Sequence, residues 1–391
     1  MKLKIGVIFG GKSVEHEVSI ISAIQAINFF DQDKYDIVPI YLTKNNEMYV
    51  GENIGSLSHY KNIKDLLNKS TRVIMINNNE KIELYSFPLK KLKTNYYDYI
   101  DLAFPIVHGT NVEDGNLQGY LKTLNIPFVG CSVLSSAICM NKYAAKTMLK
   151  EAGLPVLESL VINNYDYIDD NKNILKKIKD QYSYPVIIKP IDLGSSVGIN
   201  IAKTDEEALD ALDLAFTFAK EVIIERAITN LKEVNCSVVG DLEECESSVC
   251  EEPLNTKENI LSYEDKYLSK NSGKGMASLG RKIPADISIE TEKNIRKYAE
   301  ETFKTLNCIS IVRIDFMIDL DADNIYVNEV NTIPGSLSFY LWDASGMSYK
   351  ELLTKLINLA LKKEREEKNI TYKFDTNILK NFNDSNKNGK L

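Results

Sequence analysis

Apolar residues come in short runs separated by turns. "LKIGVIF" (3–9) is a nearly unbroken apolar run, the pattern of a strand covered on both faces. "VSIISAIQAINFF" (18–30) follows at once, with apolar positions three and four apart, and predicts a helix. "DIVPIYLT" (36–43) predicts the next strand and "YIDLAFPIVHG" (99–109) a further long one ending in a polar loop. "EDGNLQGYLKTL" (113–124) predicts a helix opening on acidic residues, and "IPFVG" (126–130) a short strand. Strands alternating with helices predict a parallel α/β sheet over the first ~130 residues.

The pattern then changes. A helix is predicted near 141–152, closed by Gly153 and Pro155, with strands near 157–162, 185–190, 197–202 and 221–226 and helices near 170–182 and 204–219. Strands near 233–240 and 245–251 lead into a polar, glycine-bearing stretch, 254–282. It is long for a loop in a compact domain, which predicts a mobile cover over a site. A helix near 288–306, strands at 310–319 and 324–330, and a helix at 348–362 complete the expected fold. Apolar periodicity fades after Lys362, so 364–391 is expected to be a flexible tail.

Composition narrows the function. Formal net charge is −8, from 47 basic and 55 acidic residues, with no basic stripe, which argues against nucleic acid as a partner. No apolar run is long enough to span a bilayer and the start lacks a cleavage pattern, so a cytoplasmic protein is expected. The six cysteines contain no C-x-x-C and the three histidines are scattered, so they predict separate thiols and no zinc cluster. Any metal is therefore expected to be a hard ion on oxygen ligands.

Three stretches carry candidate chemistry. "GVIFGGKS" (6–13) matches the phosphate-loop pattern, but Val7, Ile8 and Phe9 are strand formers and fit a strand end better than an anion cradle. "YPVIIKPIDLGSSVGI" (184–199) places Lys189 at a strand end beside a small-residue turn, an arrangement suited to a polyphosphate. In "VRIDFMIDLDADNIYVNEVNTIPG" (312–335), alternation puts Arg313 and Asp315 on one face of a strand. Glu329 and Asn331 share a face of the next one. Converging Asp, Glu and Asn oxygens suit Mg²⁺ bridging ATP phosphates, and an arginine beside them could stabilise an oxyanion.

Taken together, "GGKSVEHEVS", "HGTNVEDGNLQGYL", "NKYAAK" with "AGLPV", "IIKPIDLGSSVGI", "YEDKY", and "RIDF" with "NEVNTIPG" resemble the D-alanine–D-alanine ligases of the ATP-grasp superfamily, from about residue 3 to 361. The resemblance implies an α/β chain of ATP-grasp fold: an N-terminal parallel α/β domain (1–130), then two α+β subdomains (131–226 and 227–363) clasping ATP. It implies that Lys142, Lys189 and Lys266 contact ATP phosphates and that Ser196 belongs to the nucleotide site. Glu225 would mark the adenine segment, and Glu233 would take the ribose hydroxyls. Asp315, Glu329 and Asn331 match ligands for two Mg²⁺ ions, with Mn²⁺ able to substitute, and Arg313 the arginine that stabilises the acyl phosphate. Glu15 matches the carboxylate for the first D-alanine's ammonium, tied by Ser195 and Tyr267 to the mobile loop. His108, Gly335 and Ser336 match the substrate region. The implied product is a cell-wall dipeptide, and the implied assembly a homodimer.

Two departures from the family pattern stand out. Asn141 replaces the usual Asp, and the segment after Gly335, "SLSFYLWDASG", is shorter than usual. The second leaves the acceptor open between D-alanine and another amino acid such as D-serine, with Ser336 and Ser338 as candidates for its carboxylate. The loop residue Tyr267 favours a dipeptide over a depsipeptide.

Overall fold

The computed structural model describes residues 2–79, 81–254 and 280–371. Leu3–Gly10 (β1) pairs in parallel with Tyr35–Leu42 (β2) and with Leu102–Ile106 (β7). This core carries the predicted parallel α/β pattern, with His16–Ile27 (α1) packed on it. Four antiparallel strands extend it: Met48–Val50 (β3), Thr71–Asn78 (β4), Lys81–Ser86 (β5) and Tyr96–Ile100 (β6). The resulting sheet, in the order β6-β5-β4-β3-β2-β1-β7, is therefore mixed. The single strand expected over 99–109 is two, turned at Asp101, whose carboxylate accepts from the Lys4 N–H at 2.8 Å. "IPFVG" contributes only one bridge, Ala103 to Phe128.

A second sheet, antiparallel throughout, has the order β10-β9-β11-β8: Leu160–Asn163 (β8), Val186–Pro190 (β9), Asn200–Ala202 (β10) and Glu221–Arg226 (β11). Asn171–Gln181 (α7) and Asp205–Phe216 (α8) cover it, burying Ile174, Ile178 and Leu212 against Val186, Ile188 and Val222. The third sheet is also antiparallel: Leu231–Gly240 (β12), Cys245–Pro253 (β13), Arg281–Lys282 (β14), Ser310–Asp319 (β15) and Asn324–Asn331 (β16). Ile289–Thr305 (α9) packs on it through Ile295, Ala299 and Phe303.

Helices lie near two of the expected boundaries. Val133–Met140 (α4) and Lys142–Glu151 (α5) follow the expected boundary at 131, and their buried side chains Cys139, Ala145 and Leu149 pack with Val234, Val312 and Val327 of the third sheet. The last helix, Tyr349–Lys368 (α11), runs past the expected tail boundary at 364 and buries Leu352, Leu353, Leu356 and Ile357 in the core of the first sheet. A capping box between Ser348 and Glu351 opens it. Asn141 is the N-cap of α5, its side chain accepting from the Ala144 N–H at 2.9 Å, a task Asn performs as well as Asp. The six cysteines form no disulfide.

Candidate active site

The glycines of "GVIFGGKS" end a strand. Gly10 is the last residue of β1, with φ +97°, and a Cβ there would lie 2.2 Å from the Leu42 carbonyl oxygen. Lys12 then points into solvent and Glu15 arrives, buried, at the N-terminus of α1. The Ser195 hydroxyl donates to the Glu15 carboxylate. Gly109 and Gly194 flank that carboxylate. A Cβ on Gly109, whose φ is +82°, would sit 2.9 Å from Glu15 Oε2.

Glu113 joins this cluster without having been singled out in the sequence. Its carboxylate accepts from the Gly109 N–H at 2.6 Å and from the Ile333 N–H at 3.1 Å. Burial, with Glu15 nearby, pushes its pKa up to about 8. Its place inside "HGTNVEDG" was the available signal. His108 is buried, with Nδ1 2.7 Å from the Ile333 carbonyl oxygen and Nε2 2.9 Å from Ser22 Oγ. The carbonyl requires the proton on Nδ1, so Nε2 accepts from Ser22, which in turn accepts from the Ser336 N–H at 3.0 Å. His108 therefore lines the cleft while using both ring nitrogens to tie α1 to the loop after β16.

Burial pulls the His108 pKa down to about 4 from an ordinary 6.5. The unfolded chain then binds the proton that the native state refuses. Native stability is expected to fall as pH drops from about 6.5 towards 4, and His108→Gln should flatten that limb of a melting-temperature profile against pH.

Lysines converge from two directions. Lys142, in the first turn of α5, donates to the Leu193 carbonyl at 2.7 Å and lies 3.8 Å from Glu329. Lys189 on β9 donates to Glu225 at 2.8 Å and to Asn328 on β16 at 3.3 Å. Glu225 is wholly buried and also holds Lys146, a residue the sequence reading passed over. Burial alone would raise the Glu225 pKa, but the two ammonium groups outweigh it and hold the carboxyl well below its usual range. The turn after β9 is the predicted strand–turn–strand, with Ser195 and Ser196 at φ +54° and +57°. Glu233 sits on β12 opposite Met317.

The oxygen cluster forms at the β15–β16 pair. Asp315 is in register with Glu329, and Arg313 with Asn331. Arg313 grips Asp315 through Nε and a terminal nitrogen at 2.6 and 2.7 Å, and the Asn331 amide donates to the same carboxylate at 3.2 Å. Burial and the facing Glu329 raise the Asp315 pKa, while Arg313 opposes them. Two carboxylates facing each other beside an amide oxygen form an all-oxygen donor set that fits a hard divalent cation.

The cleft is lined by Glu15, His108, Lys142, Ser195, Arg313, Glu329 and Gly335, among others. Lys189, Glu225, Glu233, Asp315 and Ser336 do not line it. Ser336, Leu337 and Ser338 all take left-handed backbone angles, with φ of 50°, 52° and 48°, and both serine hydroxyls turn into the interior, buried and without hydrogen-bond partners. Lys266 and Tyr267, and most of the loop expected over 254–282, lie outside the described residues.

Two antiparallel sheets, one bringing a lysine and a small-residue turn and the other an Asp–Glu–Asn cluster with an arginine, define an ATP-grasp protein. The chain belongs to the D-alanine–D-alanine ligase family: its N-terminal family model matches residues 4–131 and its C-terminal one residues 148–358. A D-alanine–D-alanine ligase of Thermosipho melanesiensis is 37% identical over 379 residues, covering 97% of this chain and 98% of that protein. Among solved structures, the VanG D-Ala:D-Ser ligase of Enterococcus faecalis is 31% identical, with a TM-score of 0.75, covering 92% of this chain and 100% of the other. A D-alanine–D-alanine ligase of Bacillus anthracis complexed with ATP is 27% identical, with a TM-score of 0.65, covering 93% and 99%.

Proposed function

We infer that this protein joins two D-alanines at the expense of ATP, releasing ADP and phosphate, through a D-alanyl phosphate. The product serves peptidoglycan synthesis. The observation that carries this reading is that one cleft is lined both by the Glu15 carboxylate with its Ser195 partner and by Arg313, Glu329 and Asn331 of the β15–β16 pair. The first can hold a substrate ammonium, and the second faces the place where its carboxylate would meet a γ-phosphate.

Glu15, fixed by Ser195, orients the first D-alanine. Its carboxylate attacks the γ-phosphate, with Lys142 and Lys189 supplying positive charge to the transferring group. Mg²⁺ held by Asp315, Glu329 and Asn331 would screen the developing phosphate charge. Arg313 then stabilises the tetrahedral oxyanion formed when the second amine attacks the acyl carbon. Water must be excluded during the life of the acyl phosphate. The domain division, a cytoplasmic site of action and a homodimer belong to the same reading. No helix among the described residues is long and apolar enough to cross a membrane.

The shortened segment after Gly335 and the likeness to a D-Ala:D-Ser ligase favour D-serine as the second acceptor to examine. ADP release measured with single D-amino acids and with pairs, the product identified by mass, is expected to show turnover with D-alanine alone. Turnover only when D-serine accompanies D-alanine would replace the dipeptide reading with the mixed one.

A further inference from the structure

Glu225 is placed where a simple salt bridge would be a hindrance. It sits on β11 with its side chain 1% exposed, in register with Ile187 of β9. One carboxylate oxygen takes the Lys146 ammonium and, at 3.1 Å, the Ser159 hydroxyl. The other takes Lys189 at 2.8 Å. The lysine side chains are 5% and 6% exposed. The buried group thus holds two positive charges and one negative.

A carboxylate paired with Lys189 alone would keep that lysine, because removing one partner of a buried ion pair strands the other. With Lys146 present the carboxylate has a second partner, and its oxygen facing Ser159 stays satisfied. Lys189 can then exchange Glu225 and Asn328 for an incoming anion without leaving a bare charge behind. We propose that Lys146 is a positioning residue for nucleotide binding, holding Glu225 so that Lys189 is released to the phosphates of ATP. Lys146 lies one turn beyond Lys142 on α5, so one helix carries both a phosphate-facing lysine and the lysine that frees another. The proposal rests on the assignment of Lys189 to the phosphates.

The test is the affinity of the full chain for a non-hydrolysable ATP analogue, measured by calorimetry beside the melting temperature. Lys146→Met is expected to raise Kd about tenfold, the size of a coupling between contacting charges. In a Glu225→Gln background, which sets its own baseline because Glu225 is assigned to the adenine segment, adding Lys146→Met should change Kd by less than about threefold, because the carboxylate that detains Lys189 is gone. A merely structural Lys146 predicts a lower melting temperature with an unchanged Kd in the single variant. Either an unchanged Kd for Lys146→Met, or an about tenfold further loss on adding it to Glu225→Gln, overturns the proposal. If Lys146→Met does not fold, Lys146→Gln carries the test: it keeps a hydrogen bond to Glu225 without the charge and should still raise Kd about tenfold, and an unchanged Kd would overturn the proposal. Lys189→Ala separates the two levels: if it leaves Kd unchanged, the assignment of Lys189 itself fails.

Discussion

Lys189→Ala is expected to raise the KM for ATP about 100-fold, the loss of a charge-assisted contact to phosphate, while the protein stays folded. It stays folded because Lys146 continues to neutralise Glu225. Lys12→Ala provides the contrast. Lys12 occupies the lysine position of a phosphate-loop pattern, but it is exposed beyond the end of β1. Its KM for ATP should stay within about twofold of the parent, since exposed charges at a distance contribute little. Initial rates at saturating D-alanine across a range of ATP concentrations check both variants. A large effect at Lys12 with none at Lys189 would return the nucleotide to the first turn.

Arg313→Ala should cost more in turnover. Removing a preorganised donor from a developing oxyanion lowers kcat by about 10²–10³-fold. It also strips Asp315 of its bidentate partner while Glu329 faces it across the strand pair. Breaking a buried pair of this kind destabilises by about 3 kcal/mol, so the melting temperature falls along with kcat. Arg313→Lys restores charge but not the two-pronged geometry, and should recover stability more than rate. Steady-state kinetics and thermal melts of the two variants test this. A kcat for Arg313→Ala within tenfold of the parent would remove Arg313 from the reaction.

Much of this site was legible because it lies on regular strands. Alternation along "VRIDFMID" and "IYVNEVN" placed Arg313, Asp315, Glu329 and Asn331 on faces that the β15–β16 register then joined. The apolar character of Val7, Ile8 and Phe9 exposed the phosphate-loop match as a strand end. What escaped was set by partners far along the chain. Nothing near Lys146 shows that it faces Glu225, 79 residues away, and Glu113 meets Ile333 across 220 residues. Strands β4 and β5 were missed because their apolar positions are few and end in polar residues. Only pairing with each other and with their neighbours makes them a sheet. The left-handed run at Ser336–Ser338 contains no glycine to announce it.

The stitching around Ile333 has a mechanical meaning. His108, Glu113 and Ser22 bind the loop after β16 to the first sheet, and α11 is buried in that sheet's core. The first and third sheets therefore behave as one rigid frame. The second sheet has its own separate core and joins this frame through the short connections at 152–159 and 227–230. A rotation of the second sheet about those connections would change few backbone dihedrals and leave all three cores intact. Such a rotation has to undo the Lys189–Asn328 hydrogen bond between β9 and β16 together with the Ser195–Glu15 and Lys142–Leu193 contacts.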